Sequence, residues 1–229
     1  MSNKPPAPFI YNPPPKENGL DILHIDEEIL IINKPSGLLT VAGRPEAHAD
    51  CLEARVKELH PQALIVHRLD MDTSGVMVMA MNPKSHRILG LQFEKRKTKK
   101  TYIARVWGNI ERDEGAIDLP LICDWPNRPK QMVDHERGKP SQTHWRVLDR
   151  ETTQFKEQFT RVELSPVTGR SHQLRVHMLE LGHPILGDNL YAPPEAFQAA
   201  NRLQLHALEL TLHHPIGGAL QTFTSPCPF

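Results

Sequence analysis

The sequence predicts an α+β domain built on a mixed, largely antiparallel central sheet. Three observations lead there. The 229 residues suffice for one sizeable core. Strand and helix patterns mix along the chain without the regular βαβ rhythm of a parallel sheet. Residues 143–149 and 158–164 read as neighbouring strands that pair across a short connection.

The elements follow in order. Residues 1–19 carry six of the 21 prolines and little apolar material, which predicts a flexible tail ahead of a folded unit at 20–229. Residues 21–33, DILHIDEEILIIN, predict two strands around Asp26-Glu27-Glu28, and Lys34-Pro35-Ser36-Gly37 ends the pattern. Residues 50–60 have helical spacing with Asp50 as a cap. His67 to Gly75 is a polar loop, followed by a wholly apolar run from Val76 to Met81 that reads as a buried strand. Asn82 and Pro83 suit a helix start, with the helix continuing to about Lys97. Residues 101–107 return to strand, and 108–142, rich in Pro and Gly, predict irregular chain with short strands. Thr168 to Ser171 reads as a turn, Ser171 as the cap of a helix to Leu181, and Gly182 as its close. Residues 194–201 suggest a short helix and 203–212 a strand.

Composition excludes several classes. No run of eighteen apolar residues is present to span a membrane, and no apolar leader stands near the N-terminus. The three cysteines, Cys51, Cys123 and Cys227, are odd in number and widely spaced. They argue against a disulfide framework or thiolate zinc site and for a reducing, cytoplasmic setting. Nucleotide-binding glycine motifs and the GxSxG elbow are absent. None of the 13 histidines falls in HExxH, so no metal or cofactor is expected. Net charge is zero, yet residues 84–108 hold eight Lys/Arg against Glu94, and 111–124 hold five acids against Arg112. Such segregation builds either a basic face on a neutral protein or an ordinary solvated helix end.

Three segments carry the candidate chemistry. HRLDMDTSG at 67–75 places Asp70 two residues after a guanidinium, just ahead of a rigid strand; an Asx turn made by Asp72, Thr73 and Ser74 explains the same residues. GRSHQLRVH at 169–177 puts His172 and Arg175 on one helical face if Ser171 is the cap. An inward Arg175 needs a carboxylate, for which Asp70 is a candidate; a surface arginine is the plainer alternative. KKTYIARV at 99–106 sets Tyr102 behind Lys99 and Lys100, fit for stacking a base while the lysines hold phosphates, or simply a strand tyrosine.

Together HRLDxxTSG, KKxYxARVxG and GRxHQLRxH resemble the active-site motifs of RluA-type pseudouridine synthases. NKPSGLL at 33–39 and LGHPILGD at 181–188 are similar to further stretches of that family. The resemblance spans residues 20–223, without departure at the motif positions; the tail and residues 150–158 differ. LPLICDWPNRPKQ at 119–131 with GKP at 138–140 is similar to the subgroup that modifies both 23S rRNA and tRNA.

The resemblance implies the pseudouridine synthase fold, with helices flanking the sheet and an active-site cleft; the 19-residue tail is too short for an S4-like RNA-binding domain, so none is expected ahead of it. It implies that Asp70 is the nucleophile, that Tyr102 packs on the target base, and that Arg175 pairs with Asp70. Leu174 would touch the base edge. Arg68 would fill the gap left by a flipped uridine. His67, Arg170, Lys99 and Lys100 complete the expected substrate-binding set. Partners would be stem-loop RNA, in 23S rRNA and the tRNA anticodon loop, with no protein partner and a monomeric chain. A non-catalytic RNA-binding protein on the same fold is the main alternative; Asp70 beside phosphates would only repel there. A carboxylate hydrolase with Asp72 as second acid is another, though two residues in one turn make a poor acid pair.

Overall fold

In the computed structural model, residues 11–152 and 157–229 are described; the first half of the Pro-rich tail, and residues 153–156 of the divergent 150–158 stretch, lie outside them. Strands β1 (Asp21–Ile25) and β2 (Ile29–Lys34) form the predicted hairpin. Asp26 makes its turn, Oδ1 accepting from the Glu28 and Ile29 amides at 2.8 Å each. Helix α1 (Leu52–Leu59), short strand β3 (Leu64–Ile65), β4 (Ser74–Ala80) and α2 (Pro83–Glu94) follow. Then come β5 (Lys99–Trp107), β6 (Glu114–Asp118), β7 (Leu121–Cys123), β8 (Gln131–Val133), β9 (Gln142–Thr152) and β10 (Gln158–Pro166). Helices α3 (Gln173–Glu180) and α4 (Pro194–Gln198) precede β11 (Leu205–His213) and β12 (Leu220–Thr224).

The expected α+β architecture is present. One ten-stranded sheet runs β1-β2-β4-β11-β5-β10-β9-β6, with β12 added to β11 and β3 to β4. Among the described residues only β4 and β11 pair in parallel, through His206 with Ser74 and Ala207 with Gly75. Strand β4 is buried along its whole length, as its unbroken apolar run requires. Separate apolar clusters form on β2, β4 and α1, and on β5, β10 and α3. Tyr102 packs against both, which places it at the seam between the two halves. Strands β7 and β8 form a separate hairpin.

Four local expectations need correction. Asp50 does not cap α1. Cys51 does, its sulfur accepting from the Ala54 amide, while Asp50 grips Arg55 Nε at 2.7 Å. Helix α2 stops at Glu94 rather than Lys97, because Arg96 turns left-handed at φ 55°. Ser171 does not cap α3. The residue before that helix is His172, also left-handed, at φ 53°. Residues 11–18 are not loose tail either. The Tyr11 hydroxyl donates to Asp50 O and accepts from the Leu39 amide, Arg55 donates to Pro14 O, and Lys16 pairs with Glu58. The sequence offered no apolar period there to announce this docking. Among the described residues, no helix is long and apolar enough to cross a membrane.

Candidate active site

Asp70 lies on the loop between β3 and β4, and the segment from Lys34 to Thr40 holds that loop by its carbonyls. Lys34 Nζ donates to Met71 O, Leu38 O and Pro35 O, each at 2.8 Å. Ser36 Oγ donates to Asp72 O at 2.7 Å, and Thr40 Oγ1 to Leu69 O at 2.7 Å. The Gly37 amide also reaches Met71 O. The carbonyls on both sides of Asp70 are thus fixed, which presets the backbone that aims its carboxylate. Lys34 is wholly buried, and burial lowers it to about 7, against the pull of Asp72 and Asp70. The strand that follows begins Ser74-Gly75. Gly75 adopts φ 116°, and a Cβ there would meet Ala207 O at 2.2 Å, so only glycine fits.

The loop opens into a cleft of about 1180 Å³, lined by Arg68, Asp70, Lys100, Tyr102, Arg170, His172, Leu174 and Arg175 among others. The structure therefore gathers all the predicted site residues except Lys99. Along β5 the side chains alternate, so Lys100 and Tyr102 turn to the cleft while Lys99 is exposed on the other face. Lys100 Nζ donates to Thr168 O at 3.2 Å, and burial lowers it to about 8, with Arg96 adding to the effect. Tyr102 is raised well above its ordinary value, by burial first and the nearby Asp70 second. Arg68 is exposed at the cleft mouth. His67 differs from the expected substrate contact. Its Nε2 accepts from the Val78 amide at 3.2 Å and its ring stacks on Phe93 at 4.5 Å. It anchors the loop to β4, and burial keeps it neutral, down to about 3.

Arg175 is buried as expected, but its direct partner is Asp188 rather than Asp70. Nε reaches Asp188 Oδ2 at 2.7 Å and Nη2 reaches Oδ1 at 2.5 Å. Asp188 Oδ1 also takes the amides of Leu190 and Tyr191, so one carboxylate shapes the loop after GHPILGD. The side chain that faces Asp70 is His172, with Nε2 4.0 Å from Oδ1. Asp72 turns away to Asn189 Nδ2 at 3.1 Å, and burial raises it.

The helix start explains the remaining motif letters. Gln173 Oε1 accepts from Thr168 Oγ1 and the Arg170 amide, and its Nε2 donates to Gln142 O and Thr143 Oγ1. This buried amide replaces the expected Ser171 cap. His177 lies within hydrogen-bond distance of Thr143 Oγ1 and Ser141 Oγ, so it belongs to the packing of α3 on β9. Sequence reasoning missed His172, Asp188 and Tyr191 as site residues, although two of the three lie inside quoted motifs.

A carboxylate on a clamped loop, a tyrosine at the seam of two half-sheets and a buried arginine on a facing helix define a site for one-carboxylate chemistry. The model for "RNA pseudouridylate synthase" matches residues 28–180. The chain is 56% identical over 219 residues to the dual-specificity RNA pseudouridine synthase RluA of Salmonella typhi, covering 96% of this chain and 98% of that protein. It is 55% identical, with the same coverage, to the protein of that name from Escherichia coli K12. Among solved structures, human RNA pseudouridylate synthase domain containing 1 superposes with TM-score 0.78 at 28% identity, covering 94% of this chain and 86% of that one.

The chain belongs to the RNA pseudouridylate synthase family. It is an isomerase that acts on uridine in RNA.

Proposed function

We propose that Asp70 is the nucleophile of this isomerase and that stem-loops of both 23S rRNA and tRNA are its substrates. The carrying observation is the Asp70 carboxylate, presented to the cleft by a loop whose flanking carbonyls are all tied down. The reaction breaks the C1′–N1 bond and forms C1′–C5, while C5 loses a proton and N1 gains one. Atoms balance without a redox partner, so no metal or cofactor is invoked, and one ionised carboxylate suffices as covalent catalyst. Tyr102 packs against the base and Leu174 against its edge. Arg68 fills the stack that the flipped uridine vacates, at a site where flipping costs a few kcal/mol. Lys100 and Arg170 take phosphates, and Arg175 adds positive potential behind Asp70. Support for two RNA classes is the "dual-specificity" name of relatives aligned over 96% of the chain. The enzyme works as a cytoplasmic monomer, a single catalytic domain over residues 20–229.

The test is Asp70→Asn, which keeps the shape and removes the nucleophile. Isomerisation is lost while RNA affinity stays within a few-fold. Substantial turnover by the purified variant overturns the assignment. Pseudouridine mapping in rRNA and tRNA, from cells with and without the protein, tests the substrates.

A further inference from the structure

His172 lies opposite Asp70 in an unusual backbone state. It is a left-handed, non-glycine residue at the entry to α3, a conformation that costs about 1 kcal/mol or more and persists where the surroundings impose it. The side chain is held by Tyr191, whose hydroxyl stands 2.7 Å from His172 Nδ1, with the rings edge to face at 5.6 Å. The same hydroxyl accepts the Gln131 amide of β8 at 2.8 Å.

Counting donors points to one tautomer. The tyrosine oxygen carries one hydrogen, and its other close partner, the Gln131 amide, is itself a donor. His172 Nδ1 is the acceptor within reach of the hydroxyl hydrogen, and if it takes that hydrogen a neutral imidazole keeps its own proton on Nε2. That nitrogen is the one 4.0 Å from Asp70 Oδ1.

We propose that His172 is a positioning residue for the catalytic carboxylate: Tyr191 sets its tautomer so that Nε2–H faces Asp70, and closure of the cleft on RNA turns this approach into a hydrogen bond. The inference rests on Asp70 being the nucleophile. Neutrality of the ring is consistent with its setting. Burial lowers His172 first. Asp70 works against this, Arg175 with it, and Asp188 and Asp72 weakly against it. Arg175 also lies over the Tyr191 ring at 5.2 Å, so the phenol is held from the side of α3 as well. Because Gln131 belongs to the β7–β8 hairpin at the cleft edge, RNA seated on that hairpin bears directly on the tyrosine that holds the histidine.

The experiment compares single-turnover rates on a substrate stem-loop for His172→Gln, His172→Asn and Tyr191→Phe, together with Asp70→Asn. Gln places an N–H where Nε2 stood; Asn suits the left-handed backbone but is too short to reach Asp70. The expected order is wild type, then Gln, then Asn, with Asn down about tenfold or more and RNA affinity changed less than threefold. In the Asn variant the acidic limb of the rate profile moves to higher pH, since a carboxylate that loses a donor to its charged form takes up a proton more readily. A purely structural role would instead favour Asn over Gln and scale the rate equally at every pH. Nitrogen-15 shifts of the imidazole give a readout independent of activity: the Nε2–H tautomer in wild type, and its loss in Tyr191→Phe. Asn equal to or faster than Gln, or a wild-type ring protonated on Nδ1, overturns the proposal. Turnover by Asp70→Asn would overturn the reading of the site itself; a dead Asp70→Asn beside unaffected His172 variants overturns only the role of His172.

Discussion

Arg175 forks onto Asp188 through two hydrogen bonds, and both side chains are almost wholly buried, at 3% and 1% exposure. The arginine of the GRxHQLRxH motif is thus committed to the loop that carries Asn189 and Tyr191, and touches Asp70 only through space. The geometry assigns it a double task. It neutralises a buried carboxylate that shapes the opposite wall, and it sets positive potential near Asp70, the proposed nucleophile.

Replacing Arg175 should therefore damage the fold before it damages the chemistry. Arg175→Met strands Asp188 as an unpaired buried charge, a loss of about 3–5 kcal/mol. Arg170→Met, at an exposed residue whose side chain donates to Pro140 O at 3.2 Å, should change stability by about 0.5 kcal/mol or less. Adding Asp188→Asn to Arg175→Met removes the stranded charge yet keeps an acceptor for the Leu190 and Tyr191 amides. The double variant should regain most of the lost melting temperature and stay about tenfold or more slower than wild type. Thermal denaturation and kcat, measured on the three proteins, decide. An unchanged melting temperature in Arg175→Met would contradict a buried pair.

The two lysines ahead of Tyr102 should behave differently in salt. Each single-strand phosphate contact contributes about 0.7 to the slope of log K against log salt. Lys100 faces the cleft and Lys99 does not. Lys100→Ala should flatten the slope by about 0.7, and Lys99→Ala should leave it as in wild type. Lys100 loses its proton near pH 8, so raising the pH from 7 to 9 should flatten the wild-type slope toward that of the variant. Equal effects from both lysines would mean that RNA crosses the other face of β5.

Most of the fold was legible because its signals are local. The apolar run after Gly75 is a strand buried on both faces, and Asn82-Pro83 opens α2 with the Asn82 side chain accepting from the Ser85 amide at 2.9 Å. Strand β12 escaped because its burial alternates weakly and its pairing with β11 follows a glycine turn. At the site, Asp70, Tyr102 and Arg175, which line one cleft, were singled out by the resemblance of their motifs rather than by spacing alone. Their partners were not, since the Asp188, His172 and Tyr191 contacts arise where α3 and the loop after it meet the Asp70 loop and β8. No period in the chain encodes which of two carboxylates an inward arginine will choose.

His67 makes the site acid-labile in a defined direction. Its folded value is about 3, held down by burial and by Lys100, against about 6.5 in an open chain. Between these values the unfolded chain holds the extra proton. Stability from this residue is complete above about pH 6.5 and declines as pH falls toward 3. His67→Gln, whose amide oxygen can accept the Val78 amide without titrating, should show a shallower loss of stability from pH 6.5 to 4. Denaturant midpoints at a series of pH values test this; parallel curves for the two proteins would mean that His67 does not carry the effect.

Recognition should be local, so a short stem-loop bearing the target uridine should serve as a full substrate. The groups proposed to hold RNA all line one cleft of about 1180 Å³ around Asp70. Arg68 stands exposed at its mouth, and the β7–β8 hairpin reaches its edge with Arg128 stacked over the exposed Trp125 at 4.5 Å. Such an aromatic–guanidinium pair is suited to unstacked bases, and sequence-specific RNA recognition is concentrated on loops whose bases can be splayed out. A compact footprint also explains how two RNAs that share little beyond a loop could both be accepted. On this basis kcat/KM for an isolated anticodon stem-loop should lie within about tenfold of that for full-length tRNA. Trp125→Ala should lower both values alike, because the hairpin would touch the loop in either molecule. A drop of a hundredfold on the fragment corresponds to about 2.7 kcal/mol of transition-state stabilisation. It would place essential contacts far from the cleft and refute local recognition.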